Sequence, residues 1–316
     1  MEAIKKATRE SFGLALKELS ATHPELVVLD ADLAKATRTD LFKAACPERF
    51  FDCGIAESNM IGVAAGLAAA GKTPVAATFA MFCAGRAYEQ IRNSVGYPHL
   101  NVKIVGTHAG VSVGEDGATH QCLEDLALMR AIPGMTVICP ADHFTAQLAA
   151  AAVLDYQGPV YIRLARLATD SVYHDRPDVK FEIGKGITLR QGGDVTLIAT
   201  GMEVGEALQA AQLLEQEGIQ ATVIDMHTIK PLDEELVISA ASKTGAVVTA
   251  EEHSCIGGLG DAVGAALLCS GCRAVLEKVA VHDTFGHSGK GAELLGEFGL
   301  KAGDIAAAAK RAIARK

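Results

Sequence analysis

The sequence predicts an α/β fold made of two domains, each built around a parallel β-sheet. Short apolar runs of strand length alternate along the chain with longer segments whose apolar residues recur at helical spacing. The short runs are apolar at every position, which is typical of parallel strands that helices cover on both faces. A length of 316 residues suits two domains of ordinary size.

The first half of the chain carries the first series of alternating elements. Apolar side chains at helical spacing predict helices over residues 4–19, 57–70, 86–95 and 144–154. Short apolar runs predict strands over residues 26–29, 74–77, 102–105, 136–138 and 160–162. We therefore expect a first domain over residues 1–172.

A stretch rich in aspartate, glycine and proline interrupts this rhythm, and we interpret residues 173–193 as a linker. A second series of alternating elements follows, so we expect a second domain over residues 194–316. A helix is predicted over residues 204–217, and strands are predicted over residues 195–198, 222–225, 246–249 and 279–281.

Composition and charge exclude several classes of protein. Hydrophobic residues make up 49% and charged residues 21% of the chain, which excludes a disordered chain, a collagen and a coiled coil. The net charge is −9 and no block of about five or six basic residues occurs, so we expect no nucleic-acid surface. No apolar run approaches the roughly 18 residues that span a bilayer, and no apolar segment follows the first lysines. We therefore expect a cytoplasmic protein without a membrane segment or signal peptide.

The eight cysteines do not indicate a disulfide framework, because they are scattered and accompany no secretory signal. Cys269 and Cys272 form a single Cys-x-x-Cys pair. One such pair is more often the end of a helix than a redox or metal site, and we expect this chain to supply no metal ligands.

Glu57 is the first candidate for chemistry, because it follows the segment 51–56 and opens a helix of small residues. Its simplest role is to complement the helix dipole in the first turn. The functional alternative is a carboxyl group in a largely apolar setting, where it can share a proton with a ligand.

Phe79 and Phe82 are the second candidate, because they lie three residues apart just after a predicted strand. Two aromatic residues at this spacing most often pack in a core. The functional alternative is a flat aromatic wall against which a planar ligand ring stacks.

Residues 107–121, which we call the glycine-rich loop, carry the strongest signal. The loop contains two histidines, His108 and His120, two carboxylates including Asp116, and three glycines, all directly after a predicted strand. Ligands of open α/β sheets bind beyond the carboxyl ends of strands, and long loops there are usually functional. A structural loop has no need for this combination. Metal binding is a rival, but the separation of the two histidines fits no helical or hairpin ligand pair.

Arg163 and Arg166 follow the last strand of the first domain, where arginines either clamp a phosphate or carboxylate or lie on the surface. The segment 257–264 also contains several glycines. It lacks the Gly-x-Gly-x-x-Gly spacing of a dinucleotide site, so a tight helix N-terminus is the better interpretation.

Together these segments resemble the thiamine-diphosphate enzymes of the transketolase family, and the resemblance runs nearly end to end. Gly54-Ile55-Ala56-Glu57 resembles the family's catalytic-glutamate segment, and residues 78–82 resemble its pyrimidine-stacking segment. Residues 114–121, Gly-Glu-Asp-Gly-Ala-Thr-His-Gln, are similar to the family's substrate loop almost residue for residue. Further similar segments are residues 30–33 at the active-site edge and residues 201–204 and 225–233 in the C-terminal domain.

The resemblance implies a pyrimidine-binding domain followed by a transketolase C-terminal domain. It implies that Glu57 bonds to N1′ of the thiamine aminopyrimidine, so that the neighbouring 4′ nitrogen can take the C2 proton. Phe79 and Phe82 then stack on or flank the pyrimidine, and Asp32 lies at the edge of the cofactor site.

The resemblance also implies contacts to a sugar phosphate. Asp116 and His120 hold hydroxyl and carbonyl oxygens of a ketose, and His120 counts among the catalytic residues. The terminal phosphate is bound by a basic set, namely His108, Arg166, Arg163 and Arg9.

One part of the family's pattern is absent from the sequence. A complete transketolase holds the cofactor diphosphate through Mg²⁺ with a Gly-Asp-Gly motif, and no Gly-Asp-Gly occurs in this chain. We therefore expect a separate N-terminal subunit that carries the diphosphate and Mg²⁺ site, in an assembly of two copies of each chain. The pyrimidine half of thiamine diphosphate is expected to bind to this chain.

The resemblance implies the C-terminal subunit of a two-subunit transketolase that moves a two-carbon ketol unit from a ketose phosphate, such as xylulose 5-phosphate, to an aldose phosphate. Ala36 stands where some transketolases offer a serine to the phosphate, which leaves the acceptor sugar open. Alternatives are a transketolase for an unusual or branched sugar phosphate, a subunit similar to deoxyxylulose-phosphate synthase or to the beta chain of a 2-oxo-acid dehydrogenase, and a non-catalytic assembly module.

Overall fold

The fold is described from a computed structural model that covers residues 5–176 and 178–316. The predicted α/β class is confirmed, because helices alternate with buried strands and most neighbouring strands run parallel. Strands such as 26–30, 103–107 and 160–164 are buried at every position, as expected for strands covered on both faces.

The first part of the chain contains eight strands and seven α-helices among the described residues. The strands are β1 (Lys5–Lys6), β2 (Leu26–Asp30), β3 (Phe50–Asp52), β4 (Thr73–Phe79), β5 (Lys103–Thr107), β6 (Thr136–Ile138), β7 (Val160–Leu164) and β8 (Thr169–Asp170). The helices are α1 (Thr8–Leu19), α2 (Ala34–Thr37), α3 (Asp40–Ala45), α4 (Glu57–Ala69), α5 (Tyr88–Gln90), α6 (Asp125–Ala131) and α7 (His143–Asp155). Short 3₁₀ turns cover Pro47–Arg49 and Val111–Val113.

The second part of the described chain contains six strands and five α-helices. The strands are β9 (Ile187–Arg190), β10 (Val195–Ala199), β11 (Ala221–Asp225), β12 (Thr228–Lys230), β13 (Ala246–Ser254) and β14 (Val275–Val281). The helices are α8 (Glu203–Gln216), α9 (Glu234–Thr244), α10 (Leu259–Ser270), α11 (Gly291–Glu297) and α12 (Ala302–Ile313).

Two large sheets organise the described residues. The first has the strand order β12-β6-β7-β5-β4-β2-β3 and the second has the order β14-β13-β10-β11-β9. Strand β12 comes from the second part of the chain and pairs antiparallel with β6 at the edge of the first sheet. The two parts of the chain therefore share one sheet, which ties their positions together.

Strand β9 lies inside residues 173–193, which the sequence led us to interpret as a linker. It pairs antiparallel with β11, so residues 187–190 belong to the second sheet. The remaining division of the chain into residues 1–172 and 194–316 stays a prediction.

The helix predicted over residues 86–95 has a different form in the structure. Two π-helical segments, Met81–Arg86 and Ile91–Gly96, flank α5. A π-helical turn holds an extra residue and is frequent at functional sites. Here the first of these segments begins two residues after Phe79 and ends at Arg86.

Candidate active site

The candidate residues follow the carboxyl ends of neighbouring strands. Strands β7, β5, β4 and β2 are adjacent and parallel in the first sheet. Phe79 ends β4, His108 follows β5, and Arg166 lies two residues beyond β7. Because parallel strands end at the same edge, the sheet gathers motifs that are far apart in sequence.

The two phenylalanines and two histidines form one aromatic cluster. The ring centroids of Phe79 and His108 lie 3.9 Å apart, with the ring planes inclined by 25°. The centroids of Phe82 and His120 lie 5.3 Å apart in an edge-on arrangement, and those of Phe79 and Phe82 lie 5.7 Å apart. The structure therefore brings the second and third sequence motifs together.

Glu57 is buried at the start of α4, with 2% of its surface exposed. Its carboxylate oxygens both accept a hydrogen bond from Arg86 Nη1, at 2.8 and 2.9 Å. The same guanidinium lies over the ring of Phe82, with its Cζ 4.6 Å from the centroid. The sequence predicted a carboxyl group in a largely apolar setting, whereas the structure gives it a charged partner. This ion pair also joins Glu57 to the aromatic cluster.

His108 lies at the start of the glycine-rich loop with a left-handed φ of +54°, and only 3% of its surface is exposed. Non-glycine residues rarely adopt this backbone conformation, and they do so most often at functional sites. Burial, and then the positive charges of Arg9 and Arg166, lower the pKa of His108 to about 3. The imidazole is therefore neutral near pH 7, with its Nδ1 2.9 Å from Thr107 Oγ1.

Arg166 lies against the acidic part of the glycine-rich loop. Its Nη1 is 3.3 Å from Glu115 Oε2 and 3.6 Å from Asp116 Oδ2, and it donates a hydrogen bond to the carbonyl of Val113. All three charged side chains are at least one-third exposed, and exposed ion pairs of this kind are weak. A bound anion can therefore compete for the guanidinium.

Arg9 and Asp32 occupy the outer part of the same sheet edge. Arg9 donates a hydrogen bond to the carbonyl of Ala36. Burial, followed by the charges of Arg166 and Arg38, lowers the pKa of Arg9, so three arginines lie close enough to interact. Asp32 is exposed, has a φ of +63°, and its N–H donates to Asp52 Oδ1 at 3.1 Å.

Arg163 does not lie where a phosphate-binding residue must lie, and its predicted role is corrected here. It is 5% exposed, and its Nε donates to Asp125 Oδ2 at 3.0 Å. Its Nη2 donates to the carbonyl of Glu252 at 2.7 Å. The residue lies within β7 rather than beyond its end, so the sheet and its covering layers surround the side chain. Arg163 is a structural residue between the two parts of the chain.

Comparison with known families supports the assignment suggested by these motifs. Residues 4–171 match the model of the transketolase pyrimidine binding domain. Residues 184–305 match the model of the transketolase C-terminal domain. The chain belongs to the transketolase family. This is a thiamine-dependent transferase family, and the matches cover its pyrimidine-binding domain and its C-terminal domain.

Two relatives of this transketolase chain have nearly its own length. A protein named as a transketolase C-terminal section from Methanocaldococcus jannaschii is 49% identical over 97% of this chain and 96% of the relative. A 6-deoxy-6-sulfo-D-fructose transketolase subunit from a Clostridium species is 46% identical over 98% of this chain and 95% of that protein. By contrast, the chain spans about half the length of the transketolase-like protein 1 of Bos taurus, which is 40% identical.

Solved structures agree with the sequence relatives. A chain titled a split-gene transketolase in an inactive β4 tetramer is 51% identical and superimposes with a TM-score of 0.91, over 98% of this chain and 99% of that chain. A transketolase from Leishmania mexicana is 24% identical with a TM-score of 0.83, and the match covers 46% of that protein. The second comparison shows the shared fold alone.

Several residues of the candidate site could not be found from the sequence. Arg86 is 29 positions from Glu57, and nothing in its helical segment marks it as the partner of a buried carboxylate. Glu252, from the second part of the chain, accepts a hydrogen bond from the backbone of the glycine-rich loop. Gln121, within the loop, donates one to the loop backbone. Gln121 is the last residue of the Gly-Glu-Asp-Gly-Ala-Thr-His-Gln motif. The sequence indicated the histidines and the aspartate of this loop instead, because those side chains can carry charge or transfer a proton.

Two searches of the described residues gave negative results. Within residues 5–176 and 178–316, no helix is long and apolar enough to cross a membrane. The same part of the chain contains no group of three or more His, Cys, Asp or Glu side chains placed to hold a metal ion.

Proposed function

We propose that this chain is the C-terminal subunit of a two-subunit transketolase, which transfers a two-carbon ketol unit from a ketose phosphate to an aldose phosphate. The observation that carries the proposal is the joining of Glu57, the two phenylalanines and the two histidines into one cluster at the sheet edge. A non-catalytic assembly module has no need for this set.

Glu57 and Phe82 fit the aminopyrimidine of thiamine diphosphate, because they already bind a group of similar shape, the guanidinium of Arg86. Its guanidinium is planar, donates to the Glu57 carboxylate and stacks over the ring of Phe82. A protonated or imino form of the aminopyrimidine needs the same two contacts. Its N–H group donates to a carboxylate, and its ring stacks against an aromatic face. Thus the two side chains already bind a group of this shape and polarity.

In the proposed reaction, thiamine diphosphate supplies the electron sink that stabilises the carbon–carbon cleavage. Glu57 holds a proton at N1′ of the aminopyrimidine through a direct hydrogen bond. Because the Glu57 carboxyl group is buried, water does not compete for this bond. Phe79 and Phe82 orient the ring and exclude water from the carboxylate. These are the roles that the geometry of this chain supports.

The substrate side of the proposal rests on the glycine-rich loop. His120 and Asp116 bind hydroxyl and carbonyl oxygens of the ketose, and neutral His108 can donate or accept a hydrogen bond. Arg9 and Arg166 supply positive charge for a terminal anion, which bidentate guanidinium contacts recognise well. The overall negative charge of the chain does not oppose this, because Arg9 and Arg166 place positive charge close to His108.

The proposal includes a partner subunit that carries the diphosphate and Mg²⁺ site. The absence of a Gly-Asp-Gly motif from the sequence supports a separate chain for that task. The 51% identical split-gene chain is described as inactive when it forms a β4 tetramer, which supports dependence on a second kind of subunit. We propose an assembly with two copies of each chain and the cofactor between them.

The natural sugar remains a choice between two proposals. The crystal structure of a transketolase mutant from Pichia stipitis, 25% identical with a TM-score of 0.82, is a complex with xylulose 5-phosphate, which supports this sugar as the donor. The second candidate is an unusual sugar with a different terminal anion or a branched carbon chain. Relatives named for 6-deoxy-6-sulfo-D-fructose and for apulose 4-phosphate favour it, and so does Ala36, which offers only its carbonyl to Arg9.

The test is reconstitution with the N-terminal subunit. We expect ketol transfer by the mixed complex with thiamine diphosphate and Mg²⁺, and no transfer by either chain alone. A panel containing xylulose 5-phosphate, a sulfonated ketose and a branched ketose phosphate identifies the donor from kcat/KM. Turnover of a ketose phosphate by this chain alone would refute the partner requirement, and an inactive mixed complex over the whole panel would refute the proposed function.

A further inference from the structure

The second part of the chain contacts the glycine-rich loop at two places, although it contributes none of the candidate catalytic residues. The first contact comes from β13. Glu252 Oε1 accepts a hydrogen bond from the backbone N–H of Ser112 at 2.6 Å. Glu252 is 2% exposed, so this bond forms without competition from water.

The backbone of the loop is shaped for this carboxyl group. Gly110 has a left-handed φ of +82°, and a Cβ at this position would overlap the Glu252 carboxyl group. Any other residue at position 110 must therefore displace Glu252 or change the loop. On the other side, Arg163 fixes the main chain of Glu252 by donating to its carbonyl, and Arg163 itself is held by Asp125.

The second contact comes from the segment 286–291, which precedes and begins α11. Gln121 Nε2 donates to Val111 O at 3.0 Å within the loop and to His287 O at 3.0 Å in this segment. The two backbones also approach closely, because a Cβ on Gly291 would lie 2.5 Å from Ser112 O and one on Gly114 would lie 3.2 Å from Gly289 O. Glycines on both sides thus allow direct backbone packing.

We propose that the C-terminal domain positions the glycine-rich loop for substrate binding, with Glu252 as the central positioning residue. Among the described residues, Glu252 makes no hydrogen bond to either histidine or to Asp116. It fixes Ser112, and thereby the path of the loop between His108 and Asp116. This proposal rests on the proposed function and gives the C-terminal domain a defined part in it.

The test compares two neighbouring buried carboxylates. Glu251 is 1% exposed and lies on the same strand, but its oxygens accept from Leu259 and Gly260 N–H groups at 2.7 and 2.8 Å, within the second part of the chain. Glu251→Ala therefore removes two buried hydrogen bonds, one more than Glu252→Ala, without touching the loop. It is the matched control for Glu252→Ala.

In the reconstituted complex, we expect Glu252→Ala to raise KM for the ketose phosphate about tenfold to a hundredfold, the loss typical of leaving one buried N–H donor without its acceptor. Cofactor affinity is expected to stay at the wild-type value, because Glu57 and the phenylalanines lie outside the contact. Glu252→Gln keeps a carbonyl acceptor for Ser112 and is expected to restore most of the affinity. Glu251→Ala is expected to leave KM unchanged even if it lowers the unfolding temperature.

A second measurement is independent of activity. Amide hydrogen exchange of the full chain is expected to rise about tenfold over residues 110–114 in Glu252→Ala and to stay unchanged there in Glu251→Ala. Unchanged exchange in Glu252→Ala, or equal KM effects of the two alanine variants, overturns the positioning role. If the wild-type complex transfers no ketol unit while exchange responds as expected, the proposed function fails and the loop contact stands. If Glu252→Ala does not fold, Glu252→Met against Glu251→Met gives the same comparison of exchange rates, because methionine keeps most of the side-chain volume but offers no carboxyl acceptor.

Discussion

Arg86 contacts Glu57 and Phe82, the two side chains that we propose bind the cofactor pyrimidine, so its removal is expected to strengthen cofactor binding. The informative change is Arg86→Met, which keeps an unbranched apolar stem over Phe82 but removes every N–H donor to Glu57. In wild-type protein the cofactor must displace the guanidinium before it reaches the carboxylate. In the variant this competition is gone, and the buried carboxylate lacks a partner until the cofactor arrives.

The magnitude follows from the contacts that are lost. A hydrogen bond to a charged group contributes about 1.5–3 kcal/mol, and a cation over an aromatic ring at an exposed site adds about 0.5–1 kcal/mol. The Arg86 side chain is 51% exposed, which reduces its share through solvent screening. We therefore expect a gain of about 1–2 kcal/mol, or about fivefold to thirtyfold in cofactor affinity.

The assay is equilibrium binding of thiamine diphosphate to the reconstituted complex in the presence of Mg²⁺, without sugar. Arg92→Met is the matched control, because Arg92 is exposed and the one hydrogen bond of its side chain to the described residues goes to its neighbour Asn93 at 2.6 Å. The cofactor-free Arg86→Met chain is also expected to unfold at a lower temperature than the control, since it leaves Glu57 buried without a partner. Weaker cofactor binding by Arg86→Met than by Arg92→Met would show that Arg86 belongs to the cofactor site, and would refute the competition.

Three further predictions concern catalysis, substrate charge and pH. Glu57→Ala is expected to lower kcat of the assembled complex by about 10²–10⁴-fold, the usual contribution of a positioned acid or base, and an unimpaired rate in assays of ketol transfer would contradict its role. Arg166→Ala is expected to raise KM for a ketose phosphate about tenfold to a hundredfold and to leave KM for a phosphate-free ketose unchanged, so equal effects on both sugars would exclude anion binding. Burial raises the pKa of Asp225 to about 7, above its ordinary value of 3.8, so its contribution to stability is complete below about pH 4 and is lost as pH rises to about 7. Asp225→Asn is expected to remove that fall in the unfolding free energy while still accepting the bond from Tyr173, and denaturation curves with the same pH slope for both proteins would be inconsistent with this assignment.

Local pattern was enough to predict most of the fold. The predicted strands at residues 26–29, 136–138 and 195–198 lie within or match observed strands, because a run of apolar residues is stable in this fold only when two helical layers cover it. Strand β12 escaped prediction, since its three residues owe their conformation to pairing with β6 of the other part of the chain. Strand β9 was likewise hidden in a polar stretch at a sheet edge, where only one neighbour is present.

The candidate site divides in the same way. Glu57, Phe79, Phe82 and the glycine-rich loop could be identified from residue types that sit together in sequence. Their mutual contacts depend on strand order, because β4 and β5 are neighbours only in the folded sheet. Arg86 and Glu252 could not be identified from the local sequence. Arg86 binds Glu57, which is 29 positions away, and Glu252 binds Ser112, which is 140 positions away.

The sequence by itself therefore determined the α/β class, the residue types of the site and the family resemblance, because these reside in local periodicity and contiguous motifs. Only the tertiary structure decided which charged side chains are accessible to a substrate. Arg163 and Arg166 are three residues apart and chemically alike, yet one is enclosed within β7 and bound to Asp125, whereas the other lies beyond the strand's end beside the loop. The position of a residue relative to the end of its strand sets its burial, and burial decides whether a guanidinium holds the fold or remains open to a substrate.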